Sequence, residues 1–371
     1  MADTLIIFID SLRYDQAAEM DFLGRMPERC PVRPGFGYSV NIHAELFAGY
    51  RPDEVGYFCE WMVNPKESPG HRWCRLLPLL DVIFRPYVLN RGLQRLLTRG
   101  YRPDHIMPNI PLRHLDKFAV AGEHILSSRF PRPTLFSEHP GLQVLPYRGI
   151  APKGSRDEAV SRRALAALAE HSQLFVPLPD LDGIGHNHGV GSWEHEEHLA
   201  RLDRWVAELA REFRHRYPAG HLFVVSDHGM VNVKGGIRLD IEECCGRSGL
   251  HSYLCFSDAT LLRVWVYDEA LRQPLTEFLS SLSRGHLLAS EERRHYGLTN
   301  PAFGDFIMVL EEGYCFEPST FARHIPKAMH GYHPRLPSQW GIFAHDGPPL
   351  DGSSPQEMVQ VYPLLRDALR E

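Results

Sequence analysis

The strongest constraint on this chain is an apolar run that stops at an acid, and it occurs twice. Leu5-Ile-Ile-Phe-Ile9 is followed at once by Asp10, and His221-Leu-Phe-Val-Val-Ser226 by Asp227-His228-Gly229. Unbroken apolar runs of this length read as strands covered on both faces, as in a parallel sheet. Open α/β sheets bind their ligands at the carboxyl ends of such strands, where these acids fall. A third group, Asp182-Gly-Ile-Gly-His186, follows the short run Leu174-Phe-Val-Pro177. Three acidic or acid/imidazole groups therefore share one sheet edge. Carboxylate with imidazole suits a borderline divalent cation, zinc above all.

The rest of the chain alternates strand and helix signals. Ser155-Arg-Asp-Glu158 is a capping-box pattern opening a helix to about Glu170. Ser192 opens a long helix whose apolar positions Leu199, Leu202, Val206, Leu209 and Phe213 recur at three and four residues, with Gly220 as its stop. Strands are expected at 261–266, 306–310 and 340–344, a helix at 269–282, and a last helix capped by Ser354-Pro-Gln-Glu357. This pattern predicts an α/β fold, a mainly parallel central sheet flanked by helices. Residues 60–150 differ, being rich in Pro, Arg and aromatics with weak periodicity. They read as an inserted cap over the active edge, leaving 1–59 and 151–371 as the catalytic core. Trp61, Trp73 and Tyr87 in that segment either stack a base or fill a small core.

Composition excludes some functions. Forty basic and 46 acidic residues give a net charge of −6 with no long basic block, so no nucleic-acid polymer is expected as partner. No apolar run reaches the roughly 18 residues of a spanning helix, so no membrane association is expected. The chain enters its first strand without a basic leader, and its seven cysteines form no CxxC pair. The expectation is a cytoplasmic protein acting on a small molecule. The sequence does not set its oligomeric state.

The order Asp10, Ser39, Asp182/His186, Asp227/His228 and His330 resembles the alkaline phosphatase superfamily, and within it the nucleotide pyrophosphatase/phosphodiesterase branch. The motifs carrying the likeness are Ser226-Asp-His-Gly-Met230, Asp182-x-x-x-His186, and His330-Gly-Tyr332 followed by Gly341-Ile-Phe-Ala-His-Asp-Gly-Pro348. The segment from Ser39 to Gly49, Pro52 and Gly56 is similar to the family's nucleophile helix, and Val361-Tyr-Pro-Leu-Leu365 to a late helix. The resemblance implies an alkaline phosphatase-like core and two divalent ions, zinc first, with manganese the alternative. Asp182, His186 and His330 would hold one ion. Asp10, Asp227 and His228 would hold the other, with Ser39 touching it as the nucleophile of a covalent phosphoseryl intermediate. The implied reaction is hydrolysis of a small phosphoric diester or nucleotide pyrophosphate. The branch often has an Asn about twenty residues after the nucleophile; here that position falls near Glu60. Asn64, after a small shift, is the candidate to support a phosphate oxygen, and Asn41 and His43 are candidates to line the site, Asn41 as a substrate-binding residue.

Each residue also has a plainer reading. Ser39 suits a helix N-cap, and Asp10 a turn. Asp180 competes with Asp182, His188 with His186, and His333 with His330. A phosphomonoesterase or a phosphonate hydrolase would use the same metal core. A sulfatase fits poorly, because Ser39-Val-Asn-Ile lacks the x-Pro-x-Arg needed for formylglycine. A mutase would need a larger insertion. A non-catalytic binding protein would not need all six ligands and the serine.

Overall fold

The apolar runs that end in acids lie side by side. In the computed structural model, which describes residues 2–84, 87–102, 109–147, 154–322 and 324–370, Thr4–Ile9 is hydrogen-bonded in parallel to His221–Val225 on one side and to Gln173–Leu178 on the other. The sheet runs Glu28–Val32, Gly341–Asp346, His221–Val225, Thr4–Ile9, Gln173–Leu178, Gln143–Val144. Gly341–Asp346 is antiparallel to both its neighbours, so the sheet is parallel in the centre and antiparallel at one flank. Every residue of the three central strands is buried, which is why they carry no polar alternation.

Both faces of the sheet are covered. On one, Leu199, Leu202, Val206, Leu209 and Phe213 of helix Trp193–Arg216 pack with Leu5, Ile7 and Val224. Ser192 Oγ accepts the His195 N–H at 3.2 Å, and acids in the first turn with Arg214, His215 and Arg216 in the last complement the helix dipole. That helix closes at Arg216 rather than running on to Gly220. On the other face, Ile42, Leu46 and Phe47 of helix Ser39–Ala48 pack with Phe8, Phe175 and Phe343. Gly49 ends this helix at φ +72°, a conformation that glycine adopts without strain.

The chain divides into two compact units. The first, Met1–Arg51, His124–Val233 and Pro326–Glu371, contains the sheet just described. The second joins Pro52–Glu123 to Lys234–Ile325. Its main sheet, in the order Tyr253–Ser257, Leu261–Val266, Phe306–Leu310, Gly285–Leu287, is antiparallel throughout. This differs from the expected single insertion at 60–150. Residues 124–147 belong to the first unit, because Gln143–Val144 extends its sheet beside Gln173–Leu178. Strands 261–266 and 306–310 leave the core for the second unit. They are buried along nearly their whole length, and such a run does not reveal the direction of its partner.

Two smaller expectations also change. The last helix is Val361–Arg370, as the family likeness indicates, and not one capped at Ser354. The Glu357 carboxylate pairs with Arg51 at 2.6 Å, and its backbone bridges to Arg33. Trp61 is 1% exposed among Phe118, Leu254 and Trp265, so it is core, and Trp73 packs beside Leu77 and Leu112. The Tyr87 side chain lies outside the described residues.

Leu202 is fully buried between the long helix and the sheet. Leu202→Ala is expected to lower unfolding free energy by about 2–5 kcal/mol in urea titration. A loss below about 1 kcal/mol would show that this helix is not packed as described.

Candidate metal centre

The sheet register sets the site. Ile9 lies opposite Leu178 and Phe8 opposite Val225, so the residues that follow, Asp10, Asp180–Asp182 and Asp227, emerge at one edge. The Asp10 N–H still donates to the Leu178 carbonyl at 3.1 Å. The chain then turns at Ser11, a non-glycine residue at φ +69°. That strained turn aims the Ser11 N–H at Asp227 Oδ1 (3.3 Å) and the Leu12 N–H at Ser226 Oγ (2.9 Å), tying two strand ends together. Gly229 completes the turn: a Cβ there would come 2.3 Å from the Ser338 carbonyl oxygen.

The third group rides on helix Asp180–His188, where a spacing of four puts Asp182 and His186 on one face. His186 Nε2 is 3.3 Å from Asp182 Oδ1. Its Nδ1 donates to the Ala328 carbonyl at 2.9 Å, which leaves Nε2 as the basic nitrogen. The helix is clamped at its start. Asp180 accepts from Ser155 Oγ, Arg156 Nε and the Asp157 N–H at 2.6–3.1 Å, while Asp157 accepts the Asp180 N–H at 3.1 Å and pairs with His198 at 2.9 Å. Asp180 is thus an anchor, and Asp182 faces the site. His330 Nε2 lies 3.7 Å from Asp182 Oδ1, and its ring stacks on His228 with centroids 3.8 Å apart. His333 instead accepts the Arg335 N–H, and the half-exposed His188 sits beside Glu194 at 3.3 Å.

Donor atoms of Asp10, Asp227 and His228 lie within 4.8 Å of one another, and so do those of Asp182, His228 and His330. His228 is common to both groups, and His186 joins through Asp182, so the two expected sets meet rather than stand apart. Ser39 begins helix Ser39–Ala48, and its Oγ is 3.4 Å from His228 Nε2. One turn on, His43 Nε2 donates to Asp227 Oδ2 at 3.1 Å. Sequence reading left the role of His43 open; the signal for it was the four-residue step from Ser39. Asn41, expected to line the site, braces the start of this helix. It is 1% exposed, its Oδ1 accepts the Tyr38 N–H at 3.0 Å, and its amide donates to the Phe36 carbonyl. Asn64 lies in the second unit, where it accepts the Glu67 N–H.

The electrostatics call for positive charge. Burial, then the carboxylates of Asp227 and Asp182, push Asp10 well above the ordinary carboxyl range. Burial also raises Asp182 and Asp227, but it is outweighed by imidazoles: His186 and His228 hold Asp182 low, His228 and His43 hold Asp227 low. Burial and the neighbouring His228 and His186 drive His330 far down, which keeps it neutral, the form that binds metals. Asp10 Oδ1 and Asp182 Oδ1 are buried and accept no hydrogen bond among the described residues. Buried carboxylate oxygens without donors, beside the neutral His330 imidazole, fit divalent cations.

Residues 151–333 match the family model of type I phosphodiesterase / nucleotide pyrophosphatase. The match spans Asp182, His186, Asp227, His228 and His330, and Asp10 and Ser39 lie before it. No curated protein matches the sequence. Among solved structures, the fold is similar to murine ectonucleotide pyrophosphatase/phosphodiesterase 5, in an inactive form in complex with AMP, at 15% identity and TM-score 0.65, covering 100% of this chain and 95% of that one. The human protein of the same name is similar at 15% identity and TM-score 0.66, covering 99% and 95%.

Removing the His43 hydrogen bond leaves Asp227 less firmly oriented. His43→Ala is expected to weaken Zn²⁺ or Mn²⁺ binding by roughly 10–100-fold in calorimetric titration, and His188→Ala to change it little. Equal effects of the two variants would remove His43 from the centre.

Proposed function

We propose that this chain, a member of the nucleotide pyrophosphatase/phosphodiesterase-like branch of the alkaline phosphatase superfamily, is a two-metal-dependent hydrolase of phosphoric diesters that works through a phosphoseryl intermediate on Ser39. One observation carries the reading: Ser39 and the donors of Asp10, Asp182, Asp227, His228 and His330 converge where three adjacent strands end. The family match and the murine neighbour's complex with AMP support a nucleoside phosphoester as the substrate class.

Asp182, His186 and His330 would hold one ion, and Asp10, Asp227 and His228 the other, with Ser39 at the second. Bound there, the ions would supply Lewis acidity: they make the serine alkoxide accessible, neutralise phosphate charge and stabilise the departing oxygen. Ser39 Oγ loses its proton to solvent and attacks phosphorus. The bond from phosphorus to the leaving oxygen breaks as the Oγ–phosphorus bond forms. Water then attacks phosphorus, the Oγ–phosphorus bond breaks, and Ser39 is restored. The first turn of the ten-residue helix Ser39–Ala48 adds backbone N–H groups suited to phosphate oxygens. Asn41 and His43 fix that helix at its start and against Asp227, so the hydroxyl is delivered without reorganisation.

The test is hydrolysis of bis-p-nitrophenyl phosphate against p-nitrophenyl phosphate by the zinc- or manganese-loaded protein. Diester cleavage is expected to be faster, to stop with a chelator, and to fall roughly a thousandfold or more in Ser39→Ala with metal content retained. A preference for the monoester would move the protein to the phosphatase side of the superfamily. Diester cleavage undiminished in Ser39→Ala would rule out the serine as nucleophile.

A further inference from the structure

The second unit carries a surface that its own fold does not use. Of the eleven exposed large hydrophobic side chains among the described residues, seven lie between 76 and 96. Leu76, Leu79, Val82 and Ile83 stand on or beside helix Leu77–Ile83, and Val88, Leu89 and Leu96 on helix Tyr87–Leu97, each 49–75% exposed. The inner sides of the same helices are already satisfied: Leu77, Leu80, Leu93 and Leu97 pack with Leu112 and Leu115. Helices apolar on the outside as well as the inside are not ordinary surface helices, and a patch this continuous marks a binding face.

Charge identifies the partner. Residues 71–99 hold six arginines against one aspartate, a net of +5 in a chain whose total is −6. The aspartate, Asp81, pairs with Arg113 at 3.4 Å. Arg72, Arg75, Arg95 and Arg99 are exposed and make no ion pair among the described residues. Exposed leucines interleaved with arginines match a surface that is anionic outside and apolar a few ångströms below. We propose that these two helices lie in the interfacial layer of an anionic phospholipid bilayer. The leucine and valine side chains enter the acyl boundary, and the arginines reach the lipid phosphates. A second copy of the chain offers a weaker match, because a symmetric contact would set the arginine-rich faces against each other. Nucleic acid has no use for the leucines. Among the described residues no helix is long and apolar enough to cross a membrane, so the contact is peripheral. The expectation of no membrane partner rested on the lack of a spanning helix, and surface attachment does not need one.

The full chain should be tested by flotation with vesicles of phosphatidylcholine alone and with about 30% phosphatidylserine. Binding is expected to the anionic vesicles, weakly to the neutral ones, and to decline as salt rises. Leu89→Glu with Leu96→Glu, and separately Arg95→Glu with Arg99→Glu, should each weaken it by roughly tenfold or more. Both pairs are surface positions, so thermal unfolding and hydrolysis of a soluble diester should match wild type and show that the variants fold. No flotation with anionic vesicles would overturn the proposal. So would light scattering that shows a dimer abolished by the leucine substitutions, which would make the face a contact between copies.

Discussion

Everything in the first unit is organised around carboxylates that repel one another. Asp10, Asp182 and Asp227 stand at the ends of adjacent strands, and two of them keep buried oxygens that accept no hydrogen bond among the described residues. Like charges this close in a site of low dielectric cannot all remain ionised without a countercharge. The raised Asp10 shows the conflict, and the imidazoles that lower Asp182 and Asp227 resolve only part of it. Such an arrangement of strand ends is what a site for divalent cations requires, which is the reading proposed above.

The repulsion has to be resisted by structure, and the surrounding bonds do this. The Ser11 and Leu12 N–H groups bind the end of one strand to the turn after another. Asp180, Asp157 and His198 lock the helix that presents Asp182 and His186. The carbonyl of Ala328 orients His186, and His43 orients Asp227. None of these residues needs to touch a metal. Each removes a rotation that would let a ligand swing away, which is how outer hydrogen bonds tune metal sites.

The candidate site residues, which the structure brings together, were legible in the sequence because the proposed chemistry restricts residue type and their positions follow from strand ends. Asp10 and Asp227 were found from an apolar run meeting an acid, and Ser39 from the register of its helix. The supporting residues were not legible. Asn41 was expected only to line the site with its role open; the turn Gly37–Tyr38, closed by its side chain, shows the brace it forms. The 261–266 and 306–310 strands form where they were expected, but they join the second unit's sheet. Full burial erases the alternation that separates antiparallel from parallel strands, so an apolar run does not say which sheet it joins. The Ser354 cap failed because Glu357 finds Arg51, a partner distant in sequence that local pattern cannot weigh.

The two units also divide the physics of the chain. In the first, apolar residues are spent on a sheet buried on both faces, so polar groups that reach the edge carry meaning. In the second, an antiparallel sheet is joined by short helices whose outward leucines are exposed among the described residues. Averages conceal this. A total charge of −6 describes neither the carboxylate-rich edge nor the arginine-rich helices at 71–99. Chemistry needs charges held at fixed separations, which a rigid sheet supplies; attachment to a surface needs only area and sign, which two exposed helices supply. On the two readings proposed above, substitutions in the two regions act on different quantities, turnover in the first and location in the second.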